Sequence, residues 1–239
     1  MILGAGTDAS AGNRIDPRPI LIVTGLVQEA RIAAGPGMAV ICSSSDPRQL
    51  RALLSVFDPS TIRGVISFGV AGGLAPHLRS GACVVGSAVL SGSNRIPTSH
   101  EWSRKLLDTI PGSVSGMLLG VSRPVAHPDD KRELYLQTGA IAVDMESHIV
   151  AAVGAAHELP VAAIRVITDP AKRALPVSAV AAMRPNGTTD IGAMLRSVLK
   201  RPRELPALLL TAFDARAARA TLVRGRHLLE PALTQSVAN

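Results

Sequence analysis

A single α/β domain is what this sequence predicts, and three observations predict it. Short apolar runs recur at residues 20–23, 38–42 and 161–167, each bounded by breakers and too short for an independent helix, so each reads as a buried strand. Segments with helical spacing lie between such runs, and regular alternation of strand and helix implies a mostly parallel sheet. At 239 residues, 47% of them hydrophobic with a mean hydropathy of +0.28, the chain can bury a sizeable core and is too apolar to be generally disordered.

Taken in order, residues 1–19 are rich in Gly, Ala, Asp and Pro without periodicity and read as a loose extension. Their Gly4-Ala5-Gly6 neither follows a strand nor opens a helix, so it is no dinucleotide fingerprint. The first strand, 20–23, leads through Thr24-Gly25 into a short helix over 26–34. A second strand over 38–42 precedes a helix over 47–57 that Asp46 is placed to cap. The third strand, 64–68, runs into a glycine cluster at 69–74. That cluster reads as a tight turn whose backbone N–H groups can approach a ligand closely, and no helical pattern follows at once, which disfavours a P-loop or Rossmann loop.

A strand over 82–90, a helix over 100–109 capped by Ser99, a strand over 117–121 and a helix over 129–138 capped near Pro128 come next. Beyond Pro170 the chain breaks into a loop with short helices near 177–183 and 191–199, then a longer helix over 206–229. In that helix Leu209, Phe213, Ala217 and Ala220 are spaced by four, four and three and share a face, with Arg219 and Arg226 on another. It reads as a packed terminal helix with a solvated basic side, or as one that touches a membrane surface. The plan is an extension over 1–19, a main domain over 20–199 and a basic helical segment over 200–239 packed on or beside it.

Composition narrows the function classes. Aromatics are only 2% of the chain, which argues against a base-stacking nucleic-acid module. A net charge of +7 and a pI near 10.4 point to an anionic partner such as phosphate, a membrane surface or nucleic acid. Cys42 and Cys83 have neither metal-ligand spacing nor a disulfide framework, so both read as core thiols of a reducing compartment, and no metal is expected. No apolar run approaches the roughly 18 to 20 residues that span a bilayer. The N-terminus lacks a charged region followed by an apolar one, so a cytoplasmic protein is expected, in contact with a membrane from one side at most.

The chemistry concentrates between residues 140 and 170. The apolar run 140–143 breaks into Asp144-Met145-Glu146-Ser147, continues as a small-residue helix to Ala156, and is followed by the run 161–167 that ends at Thr168-Asp169-Pro170. Read as two parallel strands with a crossover helix, the unit puts both strand ends on one sheet edge, where open α/β sheets bind ligands. Glu146 and Asp169 then meet at one site. Two such carboxylates suit acid/base or sugar-hydroxyl work, because one can stay ionised while its neighbour is held protonated. The plainer alternative is a Glu146 favoured by the helix dipole and an Asp169 that caps the next segment.

Three pieces now stand in order: a first strand ending in Gly25 with Glu29 just after, the turn 69–74, and Val143-Asp144-Met145-Glu146 followed by Arg165-Val166-Ile167-Thr168-Asp169. This series resembles the purine nucleoside phosphorylase and methylthioadenosine/S-adenosylhomocysteine nucleosidase superfamily over most of residues 20–170. Within it the chain looks most like the hopanoid-associated phosphorylases, through Ser122-Arg123-Pro124-Val125-Ala126, Asp129-Asp130-Lys131, Ala182-Met183-Arg184-Pro185 and the arginine-rich end over 214–229. The resemblance implies a single three-layer α/β domain around a mixed, partly barrel-like sheet, cleavage of a purine N-glycosidic bond, no cofactor beyond phosphate as a co-substrate, and a homo-oligomer. It implies that Met145 packs under the ribose, that Glu146 holds the 2′- and 3′-hydroxyls with Val143, Ala71 and Gly72 lining the site, and that Asp169 protonates the departing base at N7. Such positioned proton transfer is typically worth about 10²- to 10⁴-fold. Arg165 is placed to orient that acid, or is simply a strand arginine.

The departures from the family pattern matter. Nucleosidases place a water-activating glutamate just after the first strand, and in Gln28-Glu29-Ala30 it is Glu29 that fits, with a one-residue shift. Bacterial-type phosphorylases carry Arg before the glycine turn and Ser within it as phosphate ligands, where this chain has Ser67 and Val70. Arg31, Arg48, Ser44 or backbone N–H groups around 35–37 and 43–45 would have to replace them. The aromatic residue that often flanks the base is replaced by Pro124 and Val125, an opening suited to a larger, lipid-like 5′-substituent. The resulting readings are cleavage of adenine from adenosylhopane, a nucleosidase acting on methylthioadenosine or S-adenosylhomocysteine, or a non-catalytic basic protein that binds anionic lipid or nucleic acid. The retained Glu146 and Asp169 speak against the last.

Overall fold

The structure, a computed structural model, describes residues 16–44, 46–176 and 205–234. Residues 1–15 of the extension expected over 1–19, both short helices within 177–199, the 182–185 motif, Ser45 and Arg203 lie outside these residues. The strands are β1 (Ile20–Thr24), β2 (Met38–Cys42), β3 (Gly64–Gly73), β4 (Cys83–Ser91), β5 (Asn94–Pro97), β6 (Val114–Gly120), β7 (Ala142–Asp144) and β8 (Val161–Asp169), and all but β5 contain the apolar runs that bury them. The helices are α1 (Val27–Ala33), α2 (Pro47–Ser55), α3 (His100–Thr109), α4 (Pro128–Thr138), α5 (Ser147–Ala156) and α6 (Leu205–Thr234). Capping sets two of the starts: Asp46 accepts from the Arg48 amide at 2.8 Å and Ser99 from the Trp102 amide at 3.3 Å.

The sheet is mixed and closes on itself. β3 pairs with β7, β7 with β6, β6 with β4, β4 with β8, and β8 returns to β3, while β1 and β2 extend the sheet in parallel from β3 and β5 pairs antiparallel with β4. This single α/β domain has the mixed, barrel-like sheet that the resemblance implies, and five of its eight strand pairings are parallel, as simple alternation implies. The unit at 140–170, however, is not a parallel pair with a crossover helix. β7 runs antiparallel to β3 and parallel to β6, whereas β8 runs parallel to β3 and antiparallel to β4. A three-residue apolar strand carries no directional signal, which is why its orientation is not readable locally.

The glycine cluster differs as well, because β3 continues through Gly73 instead of turning at Gly69. Its small residues keep an extended backbone and leave room for side chains from neighbouring elements. At the end of β3 the partner register shifts, so that Ala71 faces Ile167 but Gly72 faces Asp169. Such a bulge leaves Thr168 over and re-aims the residue after it. Gly72 faces Val143 on its other side. The carboxyl end of β3 thus gathers the ends of β7 and β8.

α6 seals the core with a face other than the expected one. Ala218, Leu222 and Leu229 are buried in one cluster with Ile20, Phe68, Val85, Leu106 and Ile164, while Leu209 and Phe213 are 54% and 69% exposed. Arg226, expected on a solvated side, is buried and donates from Nε to the Ala33 carbonyl at 2.7 Å. The periodicity of small residues cannot tell the two faces apart, because alanine suits either.

Candidate active site

Glu29 is placed by the turn between β1 and α1. Its Oε2 accepts from the amides of Gly25 and Leu26 at 3.0 and 2.8 Å, and its Oε1 accepts from the Val70 amide of β3 at 2.8 Å. One buried carboxyl therefore joins the first turn of α1 to the glycine stretch. Burial pushes its pKa up, against the pull of Arg165 and the three amides. Gly69 is required by this approach: a Cβ there would lie 2.7 Å from Glu29 Oε1 and 2.8 Å from Arg165 Nη1.

Arg165, in the middle of β8, is fully buried and is the hub of a second group. Its Nη2 donates to Ser67 Oγ at 2.6 Å, to Asp144 Oδ1 at 2.8 Å and to Ser147 Oγ at 3.2 Å, and it stands 3.4 Å from Glu146 Oε2. Its Nη1 has no hydrogen-bond partner. Asp144 Oδ1 also accepts from the amides of Glu146 and Ser147 at 2.9 and 2.7 Å, so it ties the start of α5 to the guanidinium. Three buried carboxylates thus share one cation. Burial raises the Glu146 pKa to about 8, with Arg165 opposing and the charges of Asp144 and Glu29 adding to the rise. The guanidinium stays charged despite its own burial, because Asp144, Glu146 and Glu29 raise its pKa. Glu146 also reaches toward β1, where a Cβ on Gly25 would come within 2.7 Å of its Oε1.

Asp169 ends β8 on the far side of Gly72. Its Oδ1 accepts from Thr168 Oγ1 at 2.8 Å and its Oδ2 from Lys131 Nζ at 2.7 Å. Lys131 projects from α4 with no solvent exposure, and its ammonium also donates to the carbonyls of Asp169, Pro170 and Arg173 at 3.1, 3.3 and 3.0 Å. Val143 and Ala71 are buried beside this end of the sheet and Met145 is half-buried.

The structure therefore brings Glu29, Arg165 and Glu146 into one cluster, with Gly72, Val143 and Asp169 at the adjoining strand end. It does not bring Arg31, Arg48 and Ser44 to them by any hydrogen bond: Arg31 is exposed on α1, Arg48 is exposed in the first turn of α2, and Ser44 lies in the β2–α2 loop with φ of 55°. The loop around Gly35 faces Arg226 of α6. Asp144, Ser67, Ser147 and Lys131 are site residues that sequence reasoning missed. Lys131 had a usable signal, since it shares a helical face with Leu134 and Tyr135, both packed against buried clusters. Among the described residues no group of three or more His, Cys, Asp or Glu is placed to hold a metal ion. An open cavity of about 560 Å³ adjoins the β6 end, lined by Val121, Arg123, Pro124, Val125, Asp130 and Leu134 among others.

A family model described as "Phosphorylase superfamily" matches residues 17–200. No curated protein matches the chain in sequence. Among solved structures, a 5′-methylthioadenosine/S-adenosylhomocysteine nucleosidase from Colwellia psychrerythraea 34H, in complex with adenine, is similar with a TM-score of 0.68 and 13% identity, covering 94% of this chain and 99% of that one. The corresponding nucleosidase of Helicobacter pylori gives a TM-score of 0.59 at 16% identity, covering 77% of this chain and 98% of its own. Futalosine hydrolase of Helicobacter pylori strain 26695 gives 0.60 at 14% identity, covering 88% and 97%. At these identities the likeness is one of fold.

Proposed function

The chain belongs to the phosphorylase superfamily and is an enzyme of the nucleoside phosphorylase or N-glycosidase kind, and on that premise we propose that it releases adenine from an adenosine-type nucleoside. The observation that carries this reading is the end of β3, where Gly72 pairs with Val143 on one side and with Asp169 on the other. Glu146 takes the ribose 2′- and 3′-hydroxyls with Met145 beneath the ring, Val143, Ala71 and Gly72 line the pocket, and Asp169 serves the base at N7. A purine anion is a poor leaving group, so proton delivery there lowers the barrier as an oxocarbenium-like ribose forms. Asp169→Asn is expected to cut adenine release, followed by chromatography, by at least about 10²-fold with the fold kept. Near-normal turnover would remove Asp169 from the mechanism.

Water is the nucleophile this site favours. The amides of Gly25, Leu26 and Val70, which could receive an anion, already bond the Glu29 carboxyl. A phosphate dianion there would meet Glu29, Glu146 and Asp144 with Arg165 as the buried counter-charge. Glu29 Oε1 and the unpartnered Arg165 Nη1 both approach Gly69, giving an acceptor and a donor of the kind a water bridges. The test is adenine release in phosphate-free buffer. Dependence on added phosphate, with ribose 1-phosphate as the product, would assign phosphorolysis and return the phosphate role to residues such as Arg31, Arg48 and Ser44.

The 5′-substituent we propose is apolar and large, as in adenosylhopane, with the enzyme working as a homo-oligomer. Aliphatic Val121, Pro124, Val125 and Leu134 line the open cavity beyond β6, and exposed Leu209, Leu210 and Phe213 stand on α6 beside Arg216 and Arg219. No helix among the described residues is long and apolar enough to cross a membrane, so a lipid substrate has to be met at a surface. Each basic residue near an anionic leaflet is worth about 1 kcal/mol. Co-sedimentation with anionic liposomes at low salt, lost in the double variant Arg216→Ser and Arg219→Ser, is the expected result. A protein that ignores liposomes and turns over 5′-methylthioadenosine best is the methylthioadenosine nucleosidase of the second reading, which the Glu29 placement also supports.

A further inference from the structure

We infer that the acid acting on the departing base is the Lys131–Asp169 pair, in which Lys131 holds the proton and Asp169 passes it on. The inference rests on the reading of this site as one that releases adenine. Its ground is geometric: the ammonium sits 2.7 Å from Asp169 Oδ2 with no solvent exposure, and Asp169 is itself only 6% exposed.

In the ion pair at 2.7 Å the Lys131 ammonium is the proton-bearing partner and the Asp169 carboxylate the acceptor. Asp169 in that state accepts hydrogen bonds and has no proton for N7. Lys131 supplies what Asp169 lacks: its three protons are shared among four acceptors, and the bond to Asp169 Oδ2 is the shortest of them at 2.7 Å. Thr168 Oγ1 occupies Oδ1, which orients Oδ2 toward Lys131. On the β3 side Gly72 presents no side chain, and a Cβ there would come within 3.0 Å of Oδ2. Oδ2 thus faces the proton source on one side and uncovered backbone on the other.

The step balances as follows. As the N9–C1′ bond breaks, its electron pair moves onto the purine and N7 becomes more basic. The Lys131 Nζ–H bond breaks and an Oδ2–H bond forms; that bond then breaks as N7–H forms. Adenine departs neutral, Asp169 is ionised again and Lys131 is left as the uncharged amine. Solvent restores its proton after the product leaves. Lys131 acts only through Asp169, so it is a positioning residue that also stores the proton. An anchor for the 169–173 turn would need donors alone, and an uncharged side chain could provide them.

The test compares two leaving groups, adenine from adenosine and 4-nitrophenolate from 4-nitrophenyl β-D-riboside, which departs without a proton. In Lys131→Met, kcat/KM for adenosine should fall by at least about 10²-fold, while that for the nitrophenyl riboside changes by less than about threefold. Lys131→Arg keeps the charge but cannot release a proton, and should match Lys131→Met on adenosine. Near wild-type adenosine cleavage by Lys131→Arg, or equal losses on both substrates in Lys131→Met, would overturn the proton store. If circular dichroism shows that both variants fail to fold, the wild type decides. Its solvent isotope effect does so: kcat/KM for adenosine should fall in heavy water by a larger factor than that for the nitrophenyl riboside, and equal effects on both would overturn proton delivery by the pair. A wild type that releases no adenine from adenosine, 5′-methylthioadenosine or a 5′-alkyl adenosine overturns the adenine reading itself, an outcome distinct from a failure of the pair.

Discussion

Arg165 Nη2 donates to Asp144 Oδ1 across 2.8 Å, and both side chains are out of solvent. The same oxygen accepts the amides of Glu146 and Ser147, so the pair fixes where α5 begins and where Glu146 stands. Removing one partner of a buried ion pair leaves an uncompensated charge and typically costs about 3–5 kcal/mol. Arg165→Met is expected to lose that much in urea unfolding, together with activity. A loss under about 1 kcal/mol would mean that the carboxylates do not depend on the guanidinium.

Glu146 makes stability depend on pH. Its folded pKa of about 8 lies above the ordinary 4.5, so below 4.5 both states hold the proton and the contribution is fully present. Between 4.5 and about 8 the folded state binds the proton and the unfolded state does not, so stability falls as pH rises through that window, by at most about 1.4 kcal/mol per unit. The ligand-free protein should melt at a higher temperature at about pH 6 than at about pH 8.5, and Glu146→Gln should flatten the difference. An unchanged pH profile in that variant would assign the dependence to another group.

Glu29→Gln replaces an acceptor with an amide that presents donors to other donors. One of its ends must turn N–H groups toward the amides of Gly25 and Leu26 or of Val70, and the base is lost as well. Adenine release should drop by about 10²- to 10⁴-fold with the circular dichroism spectrum kept. A drop below about threefold would leave Glu29 as a structural link between α1 and β3.

Glu146→Gln is expected to weaken ribose recognition more than chemistry. A carboxyl group can serve two vicinal hydroxyls, whereas the amide offers one oxygen. The variant should lose more activity on adenosine than on 2′-deoxyadenosine. Equal losses on the two nucleosides would place Glu146 away from the 2′-hydroxyl.

Local chemistry made much of this legible in the sequence. β2 and α3 begin and end where apolar runs and the Ser99 cap put them. β5 was not anticipated, since Asn94-Arg95-Ile96-Pro97 has a single buried residue and pairs only along β4. β3 was cut short because glycine ordinarily weakens a strand, and its use here is to admit Glu29 and Arg165. Lys131 stands in Asp129-Asp130-Lys131-Arg132, which reads as a solvated helix surface until its face is matched with Leu134 and Tyr135. Asp144 was quoted for its neighbours, and its grip on Arg165 spans 21 positions that no local pattern connects.

The late position of α6 in the chain has a consequence for how the protein is made. Ala218, Leu222 and Leu229 complete the cluster that holds Ile20 and Ile22, and Arg226 closes onto Ala33 at the end of the helix that carries Glu29. Translation delivers β1 and α1 first and their packing partner last, so a nascent chain that has reached only residue 200 exposes Ile20, Phe68 and Leu106 to water and to chaperones. A chain that stops before Arg226 leaves that cluster open and the Ala33 carbonyl without its Arg226 donor.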